Sequence, residues 1–241
     1  VNRAAVKAAR IHVDKRHLAD GKARAAVINS GNANACAPMG EENAERVCAA
    51  AGKALGCRPE DVVVAATGVI GQTLPVEAIE AHAGEMEMKY DNSLVAAEAI
   101  MTTDTKVKTI AIEFDVDGTT CHIGGICKGS GMIHPNMGTM LCFITTDCAV
   151  SSEMIRKALL FNVKRTFNRV TVDGDTSTND MCTVLANGMA GNAEITAEGP
   201  AYEAFCEALQ AVMQDLARKI AADGEGASKL MTCTVKGAKD E

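Results

Sequence analysis

The chain has no tryptophan, two tyrosines and five phenylalanines in 241 residues, so its core must be filled by Ala, Val, Ile, Leu and Met, with twelve methionines as adaptable fillers. Basic charge is in deficit, 24 Lys and Arg against 31 Asp and Glu, for a net charge of −7. No basic stripe interleaved with aromatics is present, which argues against nucleic acid as a partner. No apolar run approaches the ~18 residues that a membrane span requires. No hydrophobic region follows the charges of Val1 to Lys7, so the first residues do not read as a signal peptide. The ten cysteines contain no C-x-x-C pair, and their spacing fits neither a zinc site nor a small disulfide scaffold. They read as reduced thiols in a cytoplasmic protein. His122 beside Cys121 lacks the further ligands that a metal site needs, and no metal is expected.

The same scarcity removes several catalytic motifs. There is no G-x-S-x-G nucleophile elbow, and none of the five histidines adjoins a nucleophilic serine. Gly124 to Ser130 holds glycines, a lysine and a serine, but not in phosphate-loop order.

Hydrophobic patterning places the elements. Ala25 to Asn29 and Asp61 to Ala66 read as buried strands flanking a helix over Met39 to Leu55, which has acids in its first turn and Gly56 at its end. That order is a βαβ unit. Pro75 opens a helix through Ile79 and Ala83, and a further helix covers Ser93 to Ile100. Thr109 to Val116 and Thr119 to Cys127 alternate around Asp117-Gly118 as a hairpin. Thr139 to Thr146 is a central strand, Ser151 to Val163 a serine-capped helix, and Asp180 to Ala186 a strand. A long helix from Pro200 carries Phe205, Leu209, Val212, Leu216 and Ile220 at helical spacing, and Lys229 to Lys236 closes as a strand. The expected fold class is α/β, with mixed sheets sandwiched by helices.

Small residues and hydroxyls gather at four strand ends: Asn29 to Asn34, Thr67 to Gly71, Thr102 to Thr105 and Lys128 to Thr139. Such loops are where α/β proteins place their sites. The last is the most telling. A glycine-rich, proline-containing loop ends at Gly138-Thr139, directly before the apolar run Met140-Leu141-Cys142-Phe143-Ile144. A hydroxyl there can attack the preceding carbonyl, cut the chain and become an N-terminal nucleophile; a plain strand-starting threonine is the alternative.

These blocks together resemble the ornithine acetyltransferase family, also called glutamate N-acetyltransferases, which serves arginine biosynthesis. The resemblance rests on Asn29 to Ala35, Ala66 to Gly71, Thr102 to Thr105, Lys128 to Leu141 and Asp173 to Asp180, five blocks in the family's order. It implies a self-processing fold with an N-terminal threonine nucleophile, cleaved between Gly138 and Thr139 into an α segment, 1–138, and the first part of a β segment, 139–241. The two form one catalytic unit that assembles further. It implies that Thr139 carries the acetyl group from N-acetylornithine to glutamate in a ping-pong cycle, without cofactor or metal, and leaves acetyl-CoA open as a second donor. Thr67 and Gly68 would form the oxyanion hole, through a hydroxyl and a backbone N–H; read alone they are a strand-ending turn. Thr102, Lys128 and Glu225 would contact substrate. The alternatives are a solvated loop cation for Lys128 and an exposed loop acid for Glu225.

This chain departs from the family in two ways. Gly138 stands where alanine is usual, and glycine loosens the backbone at the cut. Segments expected at both ends are missing, including a tail that gives the site an Asn and a Thr, so the sequence reads as a fragment. Two other functions compete: a self-processing aminopeptidase or amidase of related architecture, in which water resolves the acyl-enzyme, and a binding domain that never cleaves.

Overall fold

A computed structural model describes residues 7–135 and 140–239. Its elements in chain order are α1 (Ala9–His17), β1 (Ala25–Asn32), α2 (Gly40–Leu55), β2 (Val62–Val69), α3 (Val76–His82), α4 (Ser93–Ala99), β3 (Lys108–Val116), β4 (Thr119–Lys128), β5 (Leu141–Thr146), α5 (Ser152–Arg165), β6 (Met181–Ala186) and α6 (Pro200–Ala222).

β1 and β2 pair in parallel, with Ala25 opposite Val62 and Gly31 opposite Gly68, and α2 crosses between them. The second sheet has the order β3-β4-β5-β6; its first two pairings are antiparallel and β5-β6 is parallel. Alternation along each strand decides what each face meets. Val62 and Val64 of β2 point at Ala44, Val47, Cys48 and Ala51 of α2. Val63 and Ala65, one position out of phase, point the other way and pack on Leu141, Phe143 and Met181 of the second sheet. The second sheet in turn offers Cys127, Cys142, Ile144 and Cys182 to Phe205, Leu209, Val212 and Leu216 of α6. The result is four layers, helices–sheet–sheet–helices, which is the α/β sandwich with mixed sheets expected from the sequence. Burying each large α6 side chain contributes about 1.5–3 kcal/mol, so this helix is the main fastening of its layer.

The βαβ unit, the Asp117-Gly118 hairpin and the serine-capped α5, where the Ser151 hydroxyl accepts from the Met154 N–H at 3.4 Å, form where the pattern places them. Two expectations need correction, and one helix was not anticipated. β1 and β2 run three residues further than their apolar stretches, to Asn32 and Val69, because Gly68, with no Cβ, lets its backbone lie against Gly31 and Asn32 closely enough to extend the ladder. Lys229 to Lys236 is not a strand: it is exposed and unpaired among the described residues, and alternation alone forms no strand without a sheet edge to bond. Helix α1 carries no amphipathic signal, because its buried face is made of Arg10, Asp14 and His17 as well as Ile11 and Val13.

Candidate active site

The seam between the two sheets ends in polar side chains. Thr67 continues the inward-facing series of Val63 and Ala65. Lys128 pairs with Leu141 across the β4-β5 ladder, so it shares that residue's inward face. Both residues are buried, Lys128 at 2% exposure. The Lys128 ammonium donates to the Thr102 hydroxyl at 2.7 Å and to the Thr67 hydroxyl at 3.3 Å. An ammonium has donors only, so Thr67 accepts from Lys128 and its own proton is available to point elsewhere. Desolvation pulls the Lys128 pKa below the ordinary lysine value, with Asp104 opposing the fall.

Gly68 follows Thr67 with φ of 127°, and a Cβ there would lie 2.2 Å from the Gly31 carbonyl carbon. Only glycine fits. The backbone carrying the proposed oxyanion-hole N–H is thus held against β1, inside a strand rather than in a turn after one.

The 102–105 loop hangs from carboxylates. Asp104 accepts from the Gly129 N–H at 2.6 Å, the Thr102 N–H at 3.2 Å and the Lys108 ammonium at 2.6 Å. Burial alone would push the Asp104 carboxyl up; Lys108, Gly129 and Lys128 outweigh it and hold the carboxyl below its usual value. Asp223, where α6 ends, accepts from the Thr105 N–H at 3.0 Å, from the Thr105 hydroxyl, and from Lys108 at 2.6 Å. Two residues on, the Glu225 N–H donates to the Ser130 carbonyl at 2.7 Å. The Glu225 side chain is exposed, with its carboxylate lying over Gly131, where a Cβ would sit 2.6 Å from it. Thr103, Thr105, Lys106 and 222–227 line a cleft of about 420 Å³ beside it. A wider hollow of about 830 Å³ opens on the second sheet around His122 and Thr145, but it contains none of these groups.

Thr67, Thr102 and Lys128 therefore meet, Gly68 adjoins them, and Glu225 borders the same loops. Gly138 and Thr139 lie outside the described residues. The next residue, Met140, is buried, and its N–H donates to Asp180 Oδ1 at 3.0 Å. Asp180 is fully buried, and desolvation pushes its pKa up to about 8 against the pull of the Met140 N–H, Arg10 and Lys128. Arg10, itself buried, has its pKa lowered to about 10 by desolvation and bonds the Asn179 carbonyl.

Sequence reasoning missed the roles of Asp104, Lys108, Asp223, Asp180 and Arg10. Asp104 and Asp180 were inside quoted blocks, and Lys108 stands four residues after Asp104; Arg10 and Asp223 carried no local signal.

The fold and site define an α/β/β/α sandwich with a hydroxyl- and ammonium-lined pocket where the seam between its sheets ends. The ArgJ family matches residues 1–241, and the chain belongs to that family. It is 50% identical over 236 residues to the arginine biosynthesis bifunctional protein ArgJ of Symbiobacterium thermophilum, covering 97% of this chain and 59% of that protein. To the protein of the same name from Lactococcus lactis it is 44% identical over 237 residues, covering 98% of this chain and 60% of the relative. The crystal structure of the Bacillus halodurans protein of that name superposes with a TM-score of 0.54 at 35% identity, over 58% of this chain and 74% of that one. The chain thus spans about three-fifths of the length of these curated relatives.

Proposed function

We propose that the chain supplies the self-processing, acetyl-transferring part of a glutamate N-acetyltransferase. The observation that carries this reading is the convergence of Thr67, Thr102 and Lys128 where the seam ends, on the strand β4 whose neighbour β5 begins two residues after Thr139. Cleavage of the Gly138–Thr139 bond frees an α-amino group with an ordinary pKa near ~7.7–8.0, able to act as general base for the hydroxyl of the same residue. The Thr139 oxygen attacks the acetyl carbonyl of N-acetylornithine. The negative charge that develops on the carbonyl oxygen is met by the Thr67 hydroxyl and the Gly68 N–H. As the amide bond breaks, the proton taken from Thr139 passes to the departing ornithine amine. Glutamate then attacks the acetyl ester through its amine, N-acetylglutamate leaves, and the threonine hydroxyl is restored. Atoms balance without coenzyme or metal, and acetyl-CoA is a chemically equivalent second donor.

Lys128 and Thr102 face the substrate, and Glu225 offers a carboxylate to the amino groups of ornithine. In this reading segments 1–138 and 139–241 stay together as one catalytic unit of a larger oligomer working in the cytoplasm. No helix among the described residues is long and apolar enough to cross a membrane.

Intact mass spectrometry of the full-length precursor and of its Thr139→Ala variant tests the cut. Two fragments meeting at 138/139 in the parent, and one uncut chain in the variant, are expected; an uncut parent overturns the mechanism. Glutamate-dependent ornithine release, compared with hydrolysis of amide substrates in the absence of glutamate, separates transfer from an amidase.

A further inference from the structure

Four buried charges run in a row from the site to the end of α6: Lys128, Asp104, Lys108 and Asp223, none more than 8% exposed. Successive contacts are 3.7 Å between Lys128 Nζ and Asp104 Oδ2, 2.6 Å between Asp104 Oδ1 and Lys108 Nζ, and 2.6 Å between Lys108 Nζ and Asp223 Oδ2. The row is electrically balanced, two of each sign, and its spacing is uneven. Lys108 grips both acids closely, whereas Lys128 stands back from Asp104 and gives its shorter bonds to the hydroxyls of Thr102 and Thr67. A buried ammonium beside a carboxylate without another cation would close onto it, because in a low dielectric the ion pair outweighs a hydroxyl contact.

We propose that Lys108, separated from Lys128 by Asp104, is a positioning residue for acyl transfer: by satisfying Asp104 it keeps the Lys128 ammonium on the Thr67 and Thr102 hydroxyls. This rests on the acetyl-transfer reading above. Removing the Lys108 charge leaves Asp104 to Lys128, which moves off Thr67. The Thr67 hydroxyl then loses the donor that fixes its direction, and stabilisation of the transition state falls while substrate contacts persist. The groups acting on Lys128 are Asp104, Lys108 and Glu225, with Asp180 further along the seam.

Two variants of the full-length precursor test this. Lys108→Met is expected to lower kcat for glutamate-dependent ornithine release by about 10²-fold with KM within about threefold, the cost of misplacing a catalytic group. That variant also strands Asp223 in the interior. The double variant Lys108→Met/Asp223→Asn removes one charge of each sign, so it is expected to recover the thermal midpoint but not kcat. Recovery of both would make Lys108 a counter-ion only and overturn the proposal. A readout free of turnover is the Lys128 ammonium in lysine-labelled NMR titrations of the parent and the double variant. With Asp104 to itself and the Lys108 charge gone, it is expected to titrate at higher pH in the double variant, and an equal or lower value overturns the proposal. A parent that titrates as expected but transfers no acetyl group would count against the function alone.

Discussion

The Lys128 ammonium reaches the Thr67 hydroxyl at 3.3 Å across the seam between the sheets, joining the end of β4 to β2. The two side chains therefore act as one unit, and their losses should not add. Thr67→Ala is expected to lower kcat by about 10²–10³-fold, the usual effect of deleting one oxyanion-hole donor. Lys128→Met should cost less, and adding it to Thr67→Ala should cost less than it does alone. A double-mutant cycle on kcat in the full-length protein measures the coupling. Additive losses would mean that Lys128 serves the substrate rather than Thr67.

Gly68→Ala brings a Cβ to 2.2 Å from the Gly31 carbonyl carbon at a φ of 127°. Backbone on both sides leaves nothing flexible to yield, so a loss of about 2 kcal/mol or more is expected in denaturant unfolding. A midpoint equal to the parent's would show that β1 moves aside freely.

Gly131→Ala meets first the far end of the Glu225 side chain, 2.6 Å away, and that carboxylate is exposed and can swing clear. Stability should hardly change. The displaced carboxylate should raise KM for N-acetylornithine by about fivefold, close to 1 kcal/mol of binding. An unchanged KM would detach Glu225 from substrate recognition.

Asp180 gives a pH signature. Its pKa is raised by burial from an ordinary carboxylate value to about 8, so below about pH 4 the folded and unfolded chains both hold the proton. From there to pH 8 the unfolded chain releases it while the folded chain keeps it. Each unit in that window therefore favours unfolding by up to about 1.4 kcal/mol. Asp180→Asn, which keeps an oxygen for the Met140 N–H, should gain stability over the parent as pH rises from 4 to 8. Unfolding curves across that range check it, and parallel profiles would mean that Asp180 titrates normally.

Much of the architecture was legible because its signals are local and periodic. The unbroken apolar run Val62-Val63-Val64-Ala65 marks a strand buried on both faces, and Phe205, Leu209, Val212 and Leu216 mark the face of α6. Thr67, Thr102 and Lys128 were legible as blocks, yet nothing local says that the three side chains touch. The elements that were missed depend on distant partners. Helix α1 hides its helical period because Arg10 and Asp14 are buried against β2, where Asp14 accepts from the Val64 N–H at 2.8 Å. Asp223 looks like any acid after a helix until Thr105 and Lys108, more than a hundred residues earlier, are folded onto it. Conversely, Lys229 to Lys236 has a strand's alternation and no partner among the described residues to bond.

The β4-β5 ladder pairs Lys128 with Leu141 and Ile123 with Thr146. Opening the backbone anywhere between Lys128 and Leu141 breaks a connection and none of those rungs. Each piece would then own half of one sheet: β3 and β4 with Thr67, Thr102 and Lys128 on one side, β5 and β6 with Asp180 and Glu225 on the other. The three pocket side chains stay on the first piece and Glu225, which borders their loops, goes with the second, so the site has its complete surroundings only while the two halves of the sheet remain paired.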